Sequence, residues 1–277
     1  MSVAVLLTLF GVGLLVGLVS GLIGIGGGVL IVPFLYAFYA RPEWSGFQVK
    51  PDVAVTVAHA TSLFIIVPTA IRGTFSYHRA GLVQWRAAVP IALASMVSAV
   101  AGALIAVALP EHGLKLAFGA VLMFTGVDLV RGRRAAAARG DRAPALWKSV
   151  ATGLVVGLFS AALGIGGGAI AIPLLIYVVG VGMREVAATS LAIVMFAATA
   201  GSITYATRGV EAGLPEGTIG YIHVLAALPI LAGSVLSVRW GAHLNQRLPA
   251  RELRAMFGIL FILLGARFVL QNALSLL

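Results

Sequence analysis

The chain has 277 residues, of which 60% are hydrophobic and 10% are charged, and its formal net charge is +10. Soluble domains carry about 25% charged residues, so this composition excludes a soluble domain and indicates a protein that crosses a membrane several times. The absence of cysteine from the sequence excludes disulfides, thiolate metal sites and cysteine nucleophiles. Most arginines lie in short loops, which favours membrane orientation over nucleic-acid binding as the reason for the positive charge.

Ten apolar segments follow one another along the chain, and each is a candidate helix that crosses or enters the bilayer. A full crossing needs about 20 apolar residues. The short segments fit half-helices or a re-entrant hairpin as well as full crossings, so we expect eight to ten spans. The first segment lacks a basic n-region and a cleavage site, so we expect it to be retained as a span. The segments are 3–22, 26–40, 52–71, 82–109, 114–130, 148–163, 166–180, 184–206, 218–240 and 253–272.

A glycine-rich motif appears twice, once in each half of the chain. Residues 17–35 read GLVSGLIGIGGGVLIVPFL and residues 157–175 read GLFSAALGIGGGAIAIPLL, with ten of the 19 aligned positions identical. Other blocks repeat as well, including the sequence Ala-Thr-Ser-Leu. This self-similarity predicts a duplication in which residues 1–130 form the first transmembrane repeat, residues 131–147 a basic linker and residues 148–277 the second repeat.

The loop charges predict that the second repeat is inverted in the membrane. The linker with Lys148 carries five arginines and one lysine against one acid, so the positive-inside rule places it in the cytoplasm. Loop 72–86 holds three arginines and no acid, whereas the equivalent loop 207–217 holds one arginine and two glutamates. This change of charge bias is typical of an inverted repeat, here of two all-α units with about five segments each. It also predicts that both termini face outward.

Glycines interrupt the apolar runs at equivalent points of both repeats. Glycine costs about 1 kcal/mol relative to alanine in a helix, so these glycines predict broken helices. An opened backbone at membrane depth must line a cavity or be buried in protein, and the following half-helix presents unpaired N–H groups to an anion. Close helix packing is the alternative role of such glycines. The candidate solute-binding glycines are Gly24, Gly26, Gly27 and Gly28 in the first break and Gly164, Gly166, Gly167 and Gly168 in the second.

Four hydroxyls and one histidine extend the candidate site. Thr61, Ser62, Thr189 and Ser190 belong to the repeated Ala-Thr-Ser-Leu block, and we expect them to complete the shell around an anion. The alternative is that they bond back to carbonyls of their own helices. His59 lies within the same predicted span as Thr61, where it binds the anion, carries a proton or packs as a neutral side chain.

The sequence contains no HExxH, Walker A or GxSxG signature, so we expect neither enzyme activity nor a cofactor or metal ion. The expected partners are a small anionic solute, the lipid bilayer, a coupling proton or ion, and a second copy of the chain in a homodimer. We expect no nucleic-acid partner. Arg239, inside a predicted span, is expected to snorkel towards the membrane surface.

The doubled G-x-G-G-G motif with Pro33 and Pro173, followed by the Ala-Thr-Ser element, resembles the sulfite exporter TauE/SafE family of membrane permeases. The resemblance covers essentially the whole chain. It implies an inner-membrane secondary transporter that exports small sulfur-containing anions, such as sulfite or sulfoacetate-like organosulfonates. Alternating access around a midplane site between the broken helices is the expected mechanism. The alternatives are a passive anion channel, a transporter of other small anions such as carboxylates, and a membrane subunit that does not transport.

Overall fold

The structure is a computed structural model that describes residues 2–47, 49–109, 111–131, 144–182, 184–208, 214 and 216–274. Most of the predicted basic linker lies outside the described residues. The described chain is almost entirely helical, and one short antiparallel hairpin precedes a late helix. The prediction of an all-α polytopic protein is confirmed.

The helices coincide with the predicted apolar segments. The first half contains α1 (Val3–Ile23), α2 (Gly28–Tyr39), α3 (Pro42–Ser45), α4 (Pro51–Arg79), α5 (Trp85–Ala108) and α6 (Glu111–Arg131). The second half contains α7 (Leu146–Leu163), α8 (Gly168–Leu174) with a π-helical turn (Leu175–Val179), α9 (Val186–Ala206), β1 (Thr218–Ile219), β2 (Ile222–His223), α10 (Val224–Arg247) and α11 (Ala250–Leu274). The largest shift is at the predicted segment 218–240, where the hairpin occupies the first residues and α10 extends further.

Seven helices in the described residues are long and apolar enough to cross a membrane, namely α1, α4, α5, α6, α7, α9 and α10. The remaining apolar helical stretches are shorter: Gly28–Tyr39, Gly168–Val179 and Phe261–Leu270. The short stretches after the two glycine motifs therefore have the length of half-helices, which is one of the two possibilities that the sequence left open.

Local chemistry explains where several helices begin and end. Ser2 caps α1, because its hydroxyl accepts the N–H of Val5 at 3.3 Å. Pro51 begins α4, a position where its missing N–H costs no hydrogen bond. Gly24 ends α1 in the left-handed conformation, and its N–H donates to the carbonyl of Ser20 at 2.8 Å.

Helices α1 and α10 run parallel along a seam of small residues. A Cβ added at Gly13 or Gly17 of α1 would overlap the backbone of Ile230 or Ser234 in α10. Helices α5 and α7 pack through the same kind of seam. Because lipid gives helices no hydrophobic reason to associate, this close backbone approach supplies the van der Waals attraction that holds each pair together.

The central helices α4 and α9 occupy equivalent positions in the two repeats and run antiparallel. Gly73, late in α4, contacts Leu191 near the start of α9, and Leu63, earlier in α4, contacts Gly201 near the end of α9. Helices α6 and α11, which are also equivalent, pack against each other in antiparallel orientation as well. These antiparallel pairings support the predicted inverted repeat. The outward orientation of the termini stays a prediction.

Candidate functional site

Both glycine motifs open the chain between two helices. Each motif holds three glycines in the left-handed region with φ between 64° and 85°, a backbone that residues with a side chain rarely adopt. In the first break these are Gly24, Gly26 and Gly27, and in the second Gly164, Gly166 and Gly167. The breaks are buried, so the opened backbone is enclosed in protein, as membrane depth requires.

The two breaks lie against each other. A Cβ added at Gly28, the first residue of α2, would lie 2.6 Å from the carbonyl oxygen of Gly164 and from the Cα of Ile165. A Cβ added at Gly168, the first residue of α8, would overlap the backbone of Ile25. The starts of both half-helices therefore meet the opposite break through backbone alone, and even a methyl group at either position would separate them.

Two apolar side chains from the central helices pack on the meeting point. Ile66 of α4 and Val194 of α9, which are equivalent residues of the two repeats, both contact Gly26 and Gly166. Both side chains are fully buried. The sequence reasoning did not identify this pair, since one apolar position among many in a span gives no signal of its own.

Each half-helix begins with N–H groups that lack an acceptor. The carbonyl of Gly27 accepts from Leu30 and Ile31 at 3.0 and 3.1 Å, which satisfies the second pair of N–H groups in α2. In the described part of the chain, no acceptor binds the first pair, from Gly28 and Val29. The equivalent first pair in α8, from 168–169, is unpaired among the described residues in the same way. Such unpaired donors at a helix start favour an anion.

Buried hydroxyls without a partner accompany these donors. The Oγ atoms of Ser20 and Ser160 have no hydrogen-bond partner among the described residues, and each serine packs on the break of its own repeat, beside Gly27 or Gly167. Both serines are identical positions of the repeated glycine motif, although they are not among the candidate site residues predicted from the sequence. That identity was the signal, since a buried polar side chain kept in both copies calls for a partner.

The hydroxyls of the Ala-Thr-Ser-Leu block divide between two places. Ser62 donates to the carbonyl of Gly164 at 2.8 Å, directly at the second break. Ser190, its equivalent, is buried and its hydroxyl has no partner among the described residues. Thr61 and Thr189 instead accept the backbone N–H groups that precede α10 and α5, at 3.0 and 3.2 Å. The two threonine hydroxyls therefore satisfy backbone N–H groups at the starts of neighbouring helices, and their role in solute binding stays a prediction.

His59 lies against the second break. A Cβ added at Gly164 would be 2.6 Å from the Cα of His59, and the Nε2 atom of His59 is 2.5 Å from the hydroxyl of Tyr36. The ammonium of Lys115 lies over the ring of Tyr36, 5.4 Å from its centroid. At the equivalent place in the other repeat, Ala187 faces the first break. The polar cluster of His59, Tyr36 and Lys115 therefore lies beside the second break alone.

A second buried histidine, His223, lies at the start of α10, where sequence reasoning did not look. Its Nδ1 atom is 3.1 Å from the hydroxyl of Tyr39, and its ring packs edge-on against Phe47 at 4.4 Å. Burial lowers the pKa of His223 to about 4, because an imidazolium loses its hydration there. The side chain therefore stays neutral near pH 7.

Comparison with known proteins assigns the chain to a class of membrane transporters. The family model described as sulfite exporter TauE/SafE matches residues 9–268. A "probable membrane transporter protein", MJ0441 of Methanocaldococcus jannaschii, is 27% identical over 92% of this chain and 91% of its own length. Similar proteins of the same description come from Haemophilus influenzae, at 29% identity over 94% of this chain and 96% of that protein, and from Bacillus subtilis (YunE), at 25% over 99% and 100%. No solved structure matches.

The family match spans nearly the whole chain, and the helices have the length and hydropathy of an integral, multi-pass membrane protein. The matched relatives, which are named as membrane transporters, align with both repeats. The resemblance carried by the doubled glycine motif is thereby confirmed. The chain belongs to the sulfite exporter TauE/SafE family of membrane transporters.

Proposed function

We propose that this protein is a secondary transporter, working as an exporter, for small sulfur-containing anions such as sulfite or organosulfonates. The family description supports this substrate class. Within this proposal the protein resides in the inner membrane with the linker in the cytoplasm and both termini outside. It acts without chemical change to the solute, so no enzyme activity is assigned.

The observation that carries the proposal is the meeting of the two breaks with their donors unpaired. The N–H groups of Gly28 and Gly168 lack acceptors among the described residues, and the hydroxyls of Ser20, Ser160 and Ser190 do as well. A sulfite or sulfonate group offers several acceptor oxygens to such donors. Neutral donors bind an anion without a fixed countercharge, which favours release as well as capture.

The arrangement of the helix pairs supports alternating access as the mechanism. The first break is attached to α1, which packs on α10, and the second break to α7, which packs on α5. Rocking of one such unit against the other would open the site first to one side and then to the other. The close packing of Ile66 and Val194 on both breaks corresponds to a closed state of this cycle.

A coupling proton is the second part of the proposal. The pair formed by His59 and Tyr36 lies beside the second break, where His59 contacts Gly164. Protonation of the imidazole would add a positive charge next to the anion, so the binding of the anion and of the proton would be linked. Lys115 lies above the ring of Tyr36 and belongs to the same cluster.

Reconstituted transport tests the proposal. Proteoliposomes loaded with sulfite, sulfate, thiosulfate, sulfoacetate, taurine or acetate are assayed for efflux, and ligand binding is screened by thermal shift in detergent. We expect saturable efflux of a sulfur oxyanion, lost in the folded double variant Gly27→Leu, Gly167→Leu and retained in Gly11→Ala, where an added Cβ meets nothing within 4 Å. Unchanged efflux by the folded double variant would refute the site.

The same assay distinguishes this proposal from the alternative functions. A passive channel gives flux that neither saturates nor shows counterflow, and the apolar contact of Ile66 and Val194 across the breaks supports a carrier instead. Efflux of acetate alone would move the substrate class to carboxylates. A purified chain that binds and moves no anion would point to a subunit of a larger assembly, and size-exclusion with light scattering would reveal a homodimer.

A further inference from the structure

A groove on the outside of the molecule, between α1 and the last turns of α10, combines basic and apolar side chains. Its volume is about 530 Å³. Leu18 contributes from α1, and the other lining side chains come from the last turns of α10. Its lining residues are Leu18, Arg239, Trp240, His243, Leu244 and Arg247.

The three basic side chains form one stripe along α10. Arg239, His243 and Arg247 are spaced four residues apart, which places them on one helix face over about 12 Å. No acidic side chain appears in this lining among the described residues. The guanidinium of Arg239 lies 5.5 Å from the ring centroid of Trp240, so an aromatic ring flanks the stripe. The groove therefore has the charge of an anion site.

Arg239 lies far enough from the end of α10 that its positive charge is energetically unfavourable there unless an anion binds beside it. Arg239 lies eight residues before the end of α10, which is about 12 Å along the helix. Its neighbours Trp240 and Leu244 are 53% and 38% exposed, as expected for a face that meets lipid. An uncompensated guanidinium on such a face is unfavourable, and snorkelling alone offers it no countercharge.

The duplication provides an internal comparison. The residues of α5 equivalent to the basic stripe are Val100, Leu104 and Ala108, which are all apolar. The α5–α7 pair packs as tightly as the α1–α10 pair without any charge at these positions. The helix pairing itself therefore does not need the basic stripe. The positive-inside rule accounts for basic residues at the proposed cytoplasmic end of α10, and the groove beside them adds a place where an anion fits.

We propose that this groove binds the headgroup of an anionic phospholipid. The phosphodiester would sit between Arg239 and Arg247 with His243 beside it, and the acyl chains would lie along Leu18 and Leu244. Two guanidinium groups and an aromatic ring at the membrane surface match the charge and the amphipathic shape of such a lipid. This site is independent of the transported solute.

Lipid retention tests the proposal on the full chain. Native mass spectrometry after titration with phosphatidylglycerol or phosphatidylcholine compares the wild type with Arg239→Gln, Arg247→Gln and with the control Arg79→Gln, Arg184→Gln, which removes the same charge from other exposed positions. We expect about tenfold weaker retention of phosphatidylglycerol in the groove variant, no change in the control and weak binding of phosphatidylcholine throughout. Arg239→Lys, Arg247→Lys is expected to retain most of the binding and guards against a folding defect.

Four results would overturn the proposal. The first is wild-type protein that retains both lipids equally. The second is a control variant that loses as much phosphatidylglycerol as the groove variant does. The third is a groove occupied by a second copy of the chain, seen as a dimer without lipid that dissociates in the Gln variant. The fourth is retention of inorganic phosphate at millimolar concentration without retention of phosphatidylglycerol, which would make the groove a site for free phosphate.

Discussion

The two glycine breaks share their backbone geometry and differ in the side chains that face them. Beside the first break, Tyr77 donates to the carbonyl of Gly21 at 2.6 Å, and beside the second, Tyr205 donates to the carbonyl of Ala161 at 2.9 Å. These buried tyrosines are equivalent residues of the repeats, so each central helix holds the last turn before a break in the same way. The duplication preserves the scaffold on both sides.

The side chains against the breaks do not follow this symmetry. His59 meets the second break and pairs with Tyr36, whereas Ala187 meets the first break and Ile176 stands at the position equivalent to Tyr36. A symmetric scaffold alone gives no preference between the two directions of transport. Under the proposed function, both breaks bind the solute, whereas the polar pair beside the second break couples a proton. Variants of the breaks and of the pair test these two roles separately.

The largest effect is expected where the breaks touch. Gly28→Ala and Gly168→Ala each place a methyl group into the opposite backbone, so each should lower the free energy of unfolding by about 3 kcal/mol and reduce transport strongly. Thermal unfolding and proteoliposome efflux measure both quantities. Gly11→Ala, in open surroundings, is the control and should be neutral or stabilising. A strong loss of stability and transport in only one of the two variants would contradict equivalent roles for the two breaks.

The next effect is a pH dependence of stability at one end of the molecule. Below about pH 6.5 the unfolded chain protonates His223, while the folded chain resists protonation down to about pH 4. Folding stability therefore falls as the pH drops through this window, by at most about 2 kcal/mol at pH 5 from this residue.

His223→Gln tests this pH effect, because it introduces the residue that the first repeat has at the equivalent position, Gln84. The variant should flatten the loss of melting temperature between pH 7.5 and pH 5. His112→Gln, at an exposed histidine, is the matched control and should leave that loss as in the wild type. Identical pH profiles of melting temperature for the wild type and His223→Gln would show that other residues cause the loss of stability at low pH.

A smaller effect, on transport alone, is expected from the polar pair. Tyr36→Phe removes the hydrogen bond beside the second break, and His59→Gln removes the imidazole that would carry the proton. Each should slow efflux driven by a pH gradient by about tenfold while counterflow of unlabelled anion continues. Ile176→Val, a conservative change at the equivalent place of the other repeat, is the control. Equal losses of counterflow and of gradient-driven efflux would place His59 in solute binding instead of proton coupling.

The smallest effect separates the two equivalent serines. Ser62→Ala removes a hydrogen bond to Gly164 and should cost about 1 kcal/mol of stability. Ser190→Ala removes an unpartnered hydroxyl, so stability should hold while the KM for the anion rises. Chemical denaturation and initial-rate transport assays distinguish these outcomes. A stability loss in Ser190→Ala equal to that in Ser62→Ala would show that the two serines play the same structural role.

The sequence predicted the helices and the breaks because both have strong local signals. Apolar length gave the helices, and the left-handed backbone at Gly26 and Gly166 follows from glycine chemistry alone. The partners of the breaks depend on contacts between residues far apart in the chain. The positions of Ile66, Tyr36 and His223 follow from helix pairing, which no local pattern encodes. For the same reason, the sequence predicts Thr61 as part of the anion site, whereas its hydroxyl accepts the backbone N–H of His223 at the start of α10.

The central claim is that the two breaks form one shared anion site, and the stoichiometry of binding tests it most directly. Isothermal titration with sulfite, or with the anion selected by the thermal-shift screen, compares the wild type with Ser20→Ala and Ser160→Ala, which remove one unpartnered hydroxyl from either break. The account predicts one anion per chain and a similar loss of affinity for that single anion in both variants. Two anions per chain, or a variant that leaves half of the binding untouched, would contradict it.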